Sequence, residues 1–456
     1  MGRRLFLVPL LAIVIGACQA VPADVLPQVL PTKTEYKTLE AAYHVLLERH
    51  VDKPGSDQLL TGALSGAEAY LKKAADQKGA ACANAAVERP AFTGSSESDL
   101  VKTGDSLDKA AAACPRSDKV LLERAATDGM AKSLNECHTY YLDPDRAKSF
   151  NQPPQPYSGI GATIIAASTS GGMGEISSVF PSSPAEKAGV RPGDRIKTVD
   201  GTDVTGFAPD EIAARIRGPE ATQVLLVLVR GTQELSFTIT RATLTPPRVI
   251  DRSYENGSIV QVAVSQLNGD VARQTQDAIR KGVAAGARAI ILDLRNDPGG
   301  DLSAAVDIAS IFLRNGTLVD QVGRDGKKEQ VRTNDRMYVG FGGPVVVLVN
   351  ERSASGSEII AAGLRANGIA SVVGSRTAGC VGIAQPRQMP DDGLLLVTLA
   401  RMQDPKTGAE LNGQGRGVEP DLVVKNDPNT PDEEDLVAAI ATAREKIAAR
   451  PGVAAP

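Results

Sequence analysis

The chain has 456 residues, 42% of them hydrophobic, a formal net charge of −4 and no tryptophan. That length predicts two to four domains with ample core. The near-balanced charge, with no basic block and no interleaving of aromatic and basic residues, argues against a nucleic-acid surface. No Walker, Rossmann or zinc spacing occurs, so neither a cofactor nor a metal is expected.

In chain order, Arg3 and Arg4 precede an apolar run from Leu5 to Ile15 that ends in Gly16-Ala17-Cys18. A charged start, an apolar stretch too short to span a bilayer and small residues before a cut make residues 1–20 an export signal. The ending resembles a bacterial lipoprotein signal, with Cys18 as the lipidated residue; cleavage after Ala20 is the alternative. The chain is expected in the periplasm or cell envelope, with membrane attachment through lipid only. Residues 21–34 read as a Pro-rich linker. Residues 35–150 carry helical periodicity, as in Leu59-Leu60-Thr-Gly-Ala-Leu64 to Leu71, with an Ala-, Gly- and Ser-rich stretch over 78–113 that reads as a loop-bearing insertion.

After Pro153-Pro154-Gln155-Pro156, residues 155–245 read as a module of short alternating strands. From 246 to 430, joined by returning N-terminal elements, strands alternate with helices: strands over 258–264, 290–294 and 344–349, helices over 271–284 and 302–313. The runs 371–374 and 393–399 are expected to continue the same sheet. Residues 431–456 are a C-terminal helix and tail. The expected fold is α+β and multidomain: a helical N-terminal region, a β-rich module, and an α/β core with a partly parallel sheet and its site at the strands' C-terminal ends.

The segment from Val345 to Leu364 carries the chemistry. An apolar strand breaks at Ser353-Ala354-Ser355-Gly356-Ser357-Glu358 and resumes as a helix. A serine there sits among helix N-terminal N–H groups able to receive an oxyanion, although turn and N-cap duty alone suits all three serines. A second strand runs from Ala289 through Leu292-Asp293-Leu294-Arg295-Asn296-Asp297-Pro298 to Gly299-Gly300, where bare backbone permits close approach. A third segment is Gly415-Arg-Gly-Val-Glu-Pro-Asp421. Together the three resemble the C-terminal processing (tail-specific) peptidases over roughly Pro31 to Val424. The resemblance implies Ser355 as nucleophile, with oxyanion donors from the Gly356 N–H and that of Gly299 or Gly300. Arg295 and Asn296 would orient the Gly-Gly turn, a purely structural role being the alternative for Arg295.

The chain departs from that family at the base. The family's lysine, in a Thr-x-Gly-Lys-Gly context, aligns with Cys380 in Thr377-Ala-Gly-Cys-Val-Gly382, and its glutamine is lost or displaced to Gln385. A serine hydroxyl needs an adjacent base, and a cysteine cannot replace the lysine. His138, in Asn135-Glu-Cys-His-Thr-Tyr-Tyr-Leu-Asp-Pro144, resembles the histidine that serves as base in tricorn-type core proteases, and histidine suits that work near neutral pH. The glutamate of that arrangement would fall near Gln414, which is not acidic. His44 and His50 read as surface or core-edge residues.

Beyond Cys18 there are Cys82, Cys114, Cys137 and Cys380. If the two motifs converge, Cys137 and Cys380 are candidates for a disulfide beside Ser355, and Cys82 with Cys114 for one in the N-terminal region; four buried thiols are the alternative. The run Ser183-Pro-Ala-Glu-Lys-Ala-Gly-Val-Arg-Pro-Gly-Asp194 resembles a PDZ domain of the bacterial protease type. That implies a carboxylate-binding turn at Gly159-Ile160-Gly161 and a strand edge for β-augmentation, or a module that only gates the core. The expected function is an exported serine endopeptidase with a non-lysine base, acting on peptides or unfolded proteins near their C-termini. The rival is an inactive, peptide-binding scaffold.

Overall fold

The computed structural model describes residues 33–78, 86–115, 117–150, 156–166, 172–413, 415–426 and 433–449. The expected export signal with Cys18, the linker to residue 32, Cys82, Gln414 and the last seven residues lie outside the described set. No helix among the described residues is long and apolar enough to cross a membrane.

The N-terminal region is built from helices Lys37–Arg49, Ser56–Lys78, Ser96–Ala113 and Lys119–Lys132. The second and fourth meet through glycines: a Cβ on Gly66 would lie 2.1 Å from the Ala125 carbonyl oxygen, and one on Gly129 2.6 Å from the Gly66 Cα. Bare backbone there lets the axes approach, while Leu59, Leu60, Leu64 and Leu71 fill the core beside the contact. The stretch read as an insertion instead carries the helix Ser96–Ala113. It buries Leu100, Leu107 and Ala110 on one face, and its Asp99 accepts hydrogen bonds from the Thr93 and Gly94 N–H groups.

The β-rich module is a sheet in the order Ala162–Ala166, Gly174–Val179, Arg195–Val199, Gln223–Arg230 and Gln233–Thr240, with the short strand Thr202–Asp203 alongside Arg195–Val199. Tyr157–Gly159 pairs antiparallel with Ala242–Leu244 where the chain enters and leaves. Ala162–Ala166 is an edge strand, and the helix Pro209–Ile216 packs beside it.

The core sheet runs Val249–Tyr254, Ile259–Val264, Ala289–Asp293, Val345–Val349, Ala370–Gly374 and Leu422–Val423. Its first pair is antiparallel and the rest are parallel. Ala289–Asp293 and Val345–Val349 are buried at every position, as continuous apolar runs covered on both faces should be. Helices Val271–Ala284, Leu302–Ser310 and Gly356–Ala366 contribute to the cluster on one face, and Glu434–Ala448 to that on the other.

The run over 393–399 does not continue this sheet. It belongs to Leu394–Gln403, which pairs antiparallel with Gly382–Gln388, Thr317–Gly323 and Tyr140–Leu142 in a second sheet. Leu395 and Val397 on that strand share one buried cluster with the N-terminal helices. Through it the segment holding Cys137 and His138 is brought to the core.

Candidate active site

Two loops at the C-terminal ends of neighbouring parallel strands make the site. Asn350 and Asn296 interlock them: the Asn296 N–H donates to Asn350 Oδ1 at 3.0 Å, and Asn350 Nδ2 donates to Asn296 Oδ1 at 3.0 Å. Ser353, fully buried, donates to the Leu294 carbonyl at 2.8 Å, and the Ala354 N–H donates to the Asp297 carbonyl at 3.0 Å. Ser353 is therefore a brace between the loops.

Ser355 stands half-buried at the start of the helix Gly356–Ala366, with φ +53° and ψ −112°. That conformation is costly for a serine. It is held because the Ser355 N–H donates to both the Cys380 carbonyl, at 2.8 Å, and Glu358 Oε2, at 3.0 Å. No hydrogen bond from Ser355 Oγ is found among the described residues.

The Gly-Gly turn lies directly against this elbow. A Cβ on Gly299 would sit 2.7 Å from the Gly356 nitrogen and 2.8 Å from Ser355 Cβ. The Gly299 N–H is occupied, donating to Asp297 Oδ1 at 2.9 Å. Leu267 bridges Gly300 through the Gly299 carbonyl and the Asp301 N–H, a pattern that turns the Gly300 N–H away from Leu267.

Two buried carboxyls support these loops. Asp297 is fully buried, and burial pushes its carboxyl up to about 7 against the pull of the Gly299 N–H and the Ser357 side chain. Its Oδ2 and the Ser357 hydroxyl are each buried without a well-aligned partner. Glu358 is raised by burial as well, though it gathers the Thr377 hydroxyl at 2.5 Å and the N–H groups of Gly379, Cys380 and Ser355. Gly417, at φ +90°, lets the third motif close over this clamp, since a Cβ there would lie 2.6 Å from Thr377 Oγ1 and 2.9 Å from Glu358 Oε1. Glu358 was visible as the fourth residue of a Ser-x-x-Glu helix start. Asp297 had no such signal.

Cys380 is joined to Cys137 by a disulfide, with Cα atoms 5.9 Å apart. Cys114 is also disulfide-bonded, its expected partner Cys82 being outside the described residues. His138 rests on the first bridge, with Nδ1 3.3 Å from Cys137 Sγ and 3.6 Å from Cys380 Sγ. No hydrogen bond joins His138 to Ser355 among the described residues. Burial holds the His138 imidazole below its ordinary value, with Glu136 opposing. Glu136 accepts the His138 main-chain N–H at 2.9 Å and the Thr398 hydroxyl at 2.7 Å. Although burial works against it, the donors around it bring Glu136 down to about 2. His50 is buried against Glu136 at 3.5 Å, and His44 meets the Tyr43 ring. Gln385 is exposed, accepting from Arg387. Arg295 does not reach for the Gly-Gly turn: it pairs with Asp293, Glu433 and Asp435 at 2.7–2.8 Å and ties the strand end to the last helix.

In the β-rich module Gly161 has φ +82°, and a Cβ there would lie 2.4 Å from Ser183 Cβ. The carbonyls of Ile160 and Gly161 accept from the Ala185 and Phe180 N–H groups, so the turn is fixed from inside. Gly159 closes the strand before it. A cleft of about 750 Å³ separates the module from the core, lined by Ile165, Glu175 and Arg230 on one side and Arg252, Arg295 and Arg352 on the other. Ser355 is not among its lining residues.

Comparison with known proteins agrees with this anatomy. Residues 258–424 match peptidase family S41, and residues 175–230 match the PDZ domain. A probable CtpA-like serine protease of Staphylococcus aureus (strain COL) is 33% identical over 311 residues, covering 68% of this chain and 61% of the relative. That of Staphylococcus haemolyticus (strain JCSC1435) is 34% identical over 305 residues, covering 66% and 60%. The chain thus spans about three fifths of the length of these relatives. Among solved structures, the photosystem II D1 C-terminal processing protease shares the fold with a TM-score of 0.53 at 24% identity, over 88% of this chain and 96% of that one. By these matches residues 258–424 belong to peptidase family S41, with a PDZ domain set ahead of this core.

Proposed function

We propose that the protein is an exported serine endopeptidase that cleaves peptide or unfolded-protein chains near their C-termini. The observation that carries this is the convergence at Ser355: a strained serine at a helix start, with the Gly299-Gly300 turn packed against it and with the Gly356 and Gly300 N–H groups both lacking an acceptor among the described residues. Ser355 Oγ attacks the peptide carbonyl, the two N–H groups receive the oxyanion, and the leaving amine departs before water releases the acyl group. His138 takes the serine proton. Burial favours its neutral form, and it lies against the side chain of Cys380, whose carbonyl holds the Ser355 N–H. The missing contact to Ser355 would form on substrate closure, when catalytic hydrogen bonds commonly tighten.

The PDZ turn Gly159-Ile160-Gly161 receives the chain end, and the free edge of Ala162–Ala166 extends its backbone pairing. Export is supported by the leader pattern of residues 1–20 and by the disulfide chemistry at Cys137, Cys380 and Cys114. Attachment through lipid at Cys18 completes the reading.

One observation favours the second reading, a peptide-binding scaffold without turnover: a disulfide stands where the resemblance puts a lysine, and no basic partner of Ser355 Oγ is found among the described residues. A fluorophosphonate probe with an unfolded substrate separates the two. Labelling and cleavage are expected in the oxidised wild type and absent in Ser355→Ala and His138→Ala. A wild type that binds peptide but is neither labelled nor active supports the scaffold.

A further inference from the structure

We propose that, once the Cys137–Cys380 bond is reduced, Cys137, His138 and Cys380 form a binding site for a soft divalent metal of the Zn²⁺ class. The three ligating atoms already lie within 4.8 Å of one another. Tetrahedral zinc with a thiolate at ~2.3 Å and an imidazole nitrogen at ~2.05 Å places sulfur and nitrogen ~3.5 Å apart and two sulfurs ~3.8 Å apart. The His138 Nδ1 distances of 3.3 and 3.6 Å match the first edge. Only the sulfur–sulfur edge must open, and Cα atoms 5.9 Å apart leave room for it.

The segment carrying the ring is held from behind. The His138 main-chain N–H is fixed on Glu136, and the neighbouring Thr139 hydroxyl donates to Thr398 Oγ1 at 3.1 Å. Cys137 is exposed, so the fourth position opens to solvent, beside Asn412 Oδ1 at 3.9 Å from Cys137 Sγ. The path to this state balances. A dithiol reductant exchanges with the disulfide, gives up two electrons and two protons, and leaves as its own cyclic disulfide. The metal then displaces both thiol protons into solvent. Disulfide and metal are thus alternative closures of one cluster, and the site stands on this geometry whether or not Ser355 turns over.

Co²⁺ is the probe, because tetrahedral thiolate coordination gives it intense charge-transfer absorption. The reduced, desalted full chain is titrated anaerobically with Co²⁺ and then with Zn²⁺. One Co²⁺ per chain is expected, with a thiolate band that Zn²⁺ bleaches. The oxidised chain, with every other side chain in place, shows none. Reduced Cys137→Ser, an exposed position, and Cys380→Ser lose more than about 100-fold in affinity, beyond what outer-shell changes cost, whereas Cys114→Ser keeps the band. No thiolate band in the reduced wild type overturns the proposal, as does a band that survives in Cys137→Ser or requires Cys114.

Discussion

At Asp297 and Glu358 the chain places two carboxyls beneath the same serine and treats them unequally. Glu358 gathers four donors, while Asp297 has one firm N–H bond and otherwise apolar or unaligned surroundings. A carboxyl so poorly solvated favours its neutral form, hence its rise from an ordinary 3.8 to about 7. The folded chain therefore binds the Asp297 proton more tightly than the unfolded chain does. Its contribution to stability is full below about pH 4, drains away as the pH rises toward 7, and is gone above it. Asp297→Asn keeps an oxygen for the Gly299 N–H but cannot ionise. Urea unfolding between about pH 4.5 and 8 is expected to show wild type losing on the order of a few kcal/mol relative to this variant. Parallel pH profiles would refute the assignment. Of these residues the sequence displayed Ser355, through its turn and motif, and Glu358, through its spacing. The cost of Asp297 arises from what other segments pack around it, and no local pattern encodes that.

Among the elements, the parallel strands were the most legible, because runs such as Val345–Val349 are apolar at every position and buried on both faces. The strand Leu394–Gln403 looked the same locally, yet it left that sheet to pair with Tyr140–Leu142 and Gly382–Gln388. An apolar run states that it is buried, not which neighbour it pairs with. The helix Ser96–Ala113 was hidden for a different reason: its many small residues blur the face that buries Leu100 and Leu107. The Gly-Gly turn was legible as a close approach, and its geometry gives a sharp test. Gly300 has φ +149°, and a Cβ there would lie 2.1 Å from the Leu267 carbonyl oxygen. Gly300→Ala must push the turn off Leu267 and displace the proposed oxyanion donor at position 300. The expected outcome is a loss of about 1–3 kcal/mol in unfolding free energy, together with loss of fluorophosphonate labelling while circular dichroism stays native. Undiminished labelling would remove Gly300 from the oxyanion site.

Over the whole molecule, the helical region and the protease core are one folding partnership more than two beads. Tyr141, Met389, Leu395 and Val397 sit in the same buried cluster as the N-terminal helices, and the Cys137–Cys380 bond closes a separation of 243 positions with the PDZ domain inside it. The sequence offered the two cysteines only through motif alignment, since nothing local connects positions so far apart. A cross-link over so long a loop acts mainly by restricting the unfolded chain, typically by about 2–5 kcal/mol. The shared apolar cluster and the Tyr140–Leu142 pairing remain when it is removed, so the fold should survive its loss. The double variant Cys137→Ser/Cys380→Ser, kept oxidised so that the Cys114 disulfide persists, is expected to unfold cooperatively at a lower urea midpoint with the same spectrum. If two transitions replace one, the bridge alone couples the helical region to the core, and the shared cluster is too weak to do so. If the midpoint does not move, the native geometry gains nothing from the bond, and its place beside Ser355 concerns chemistry instead of stability.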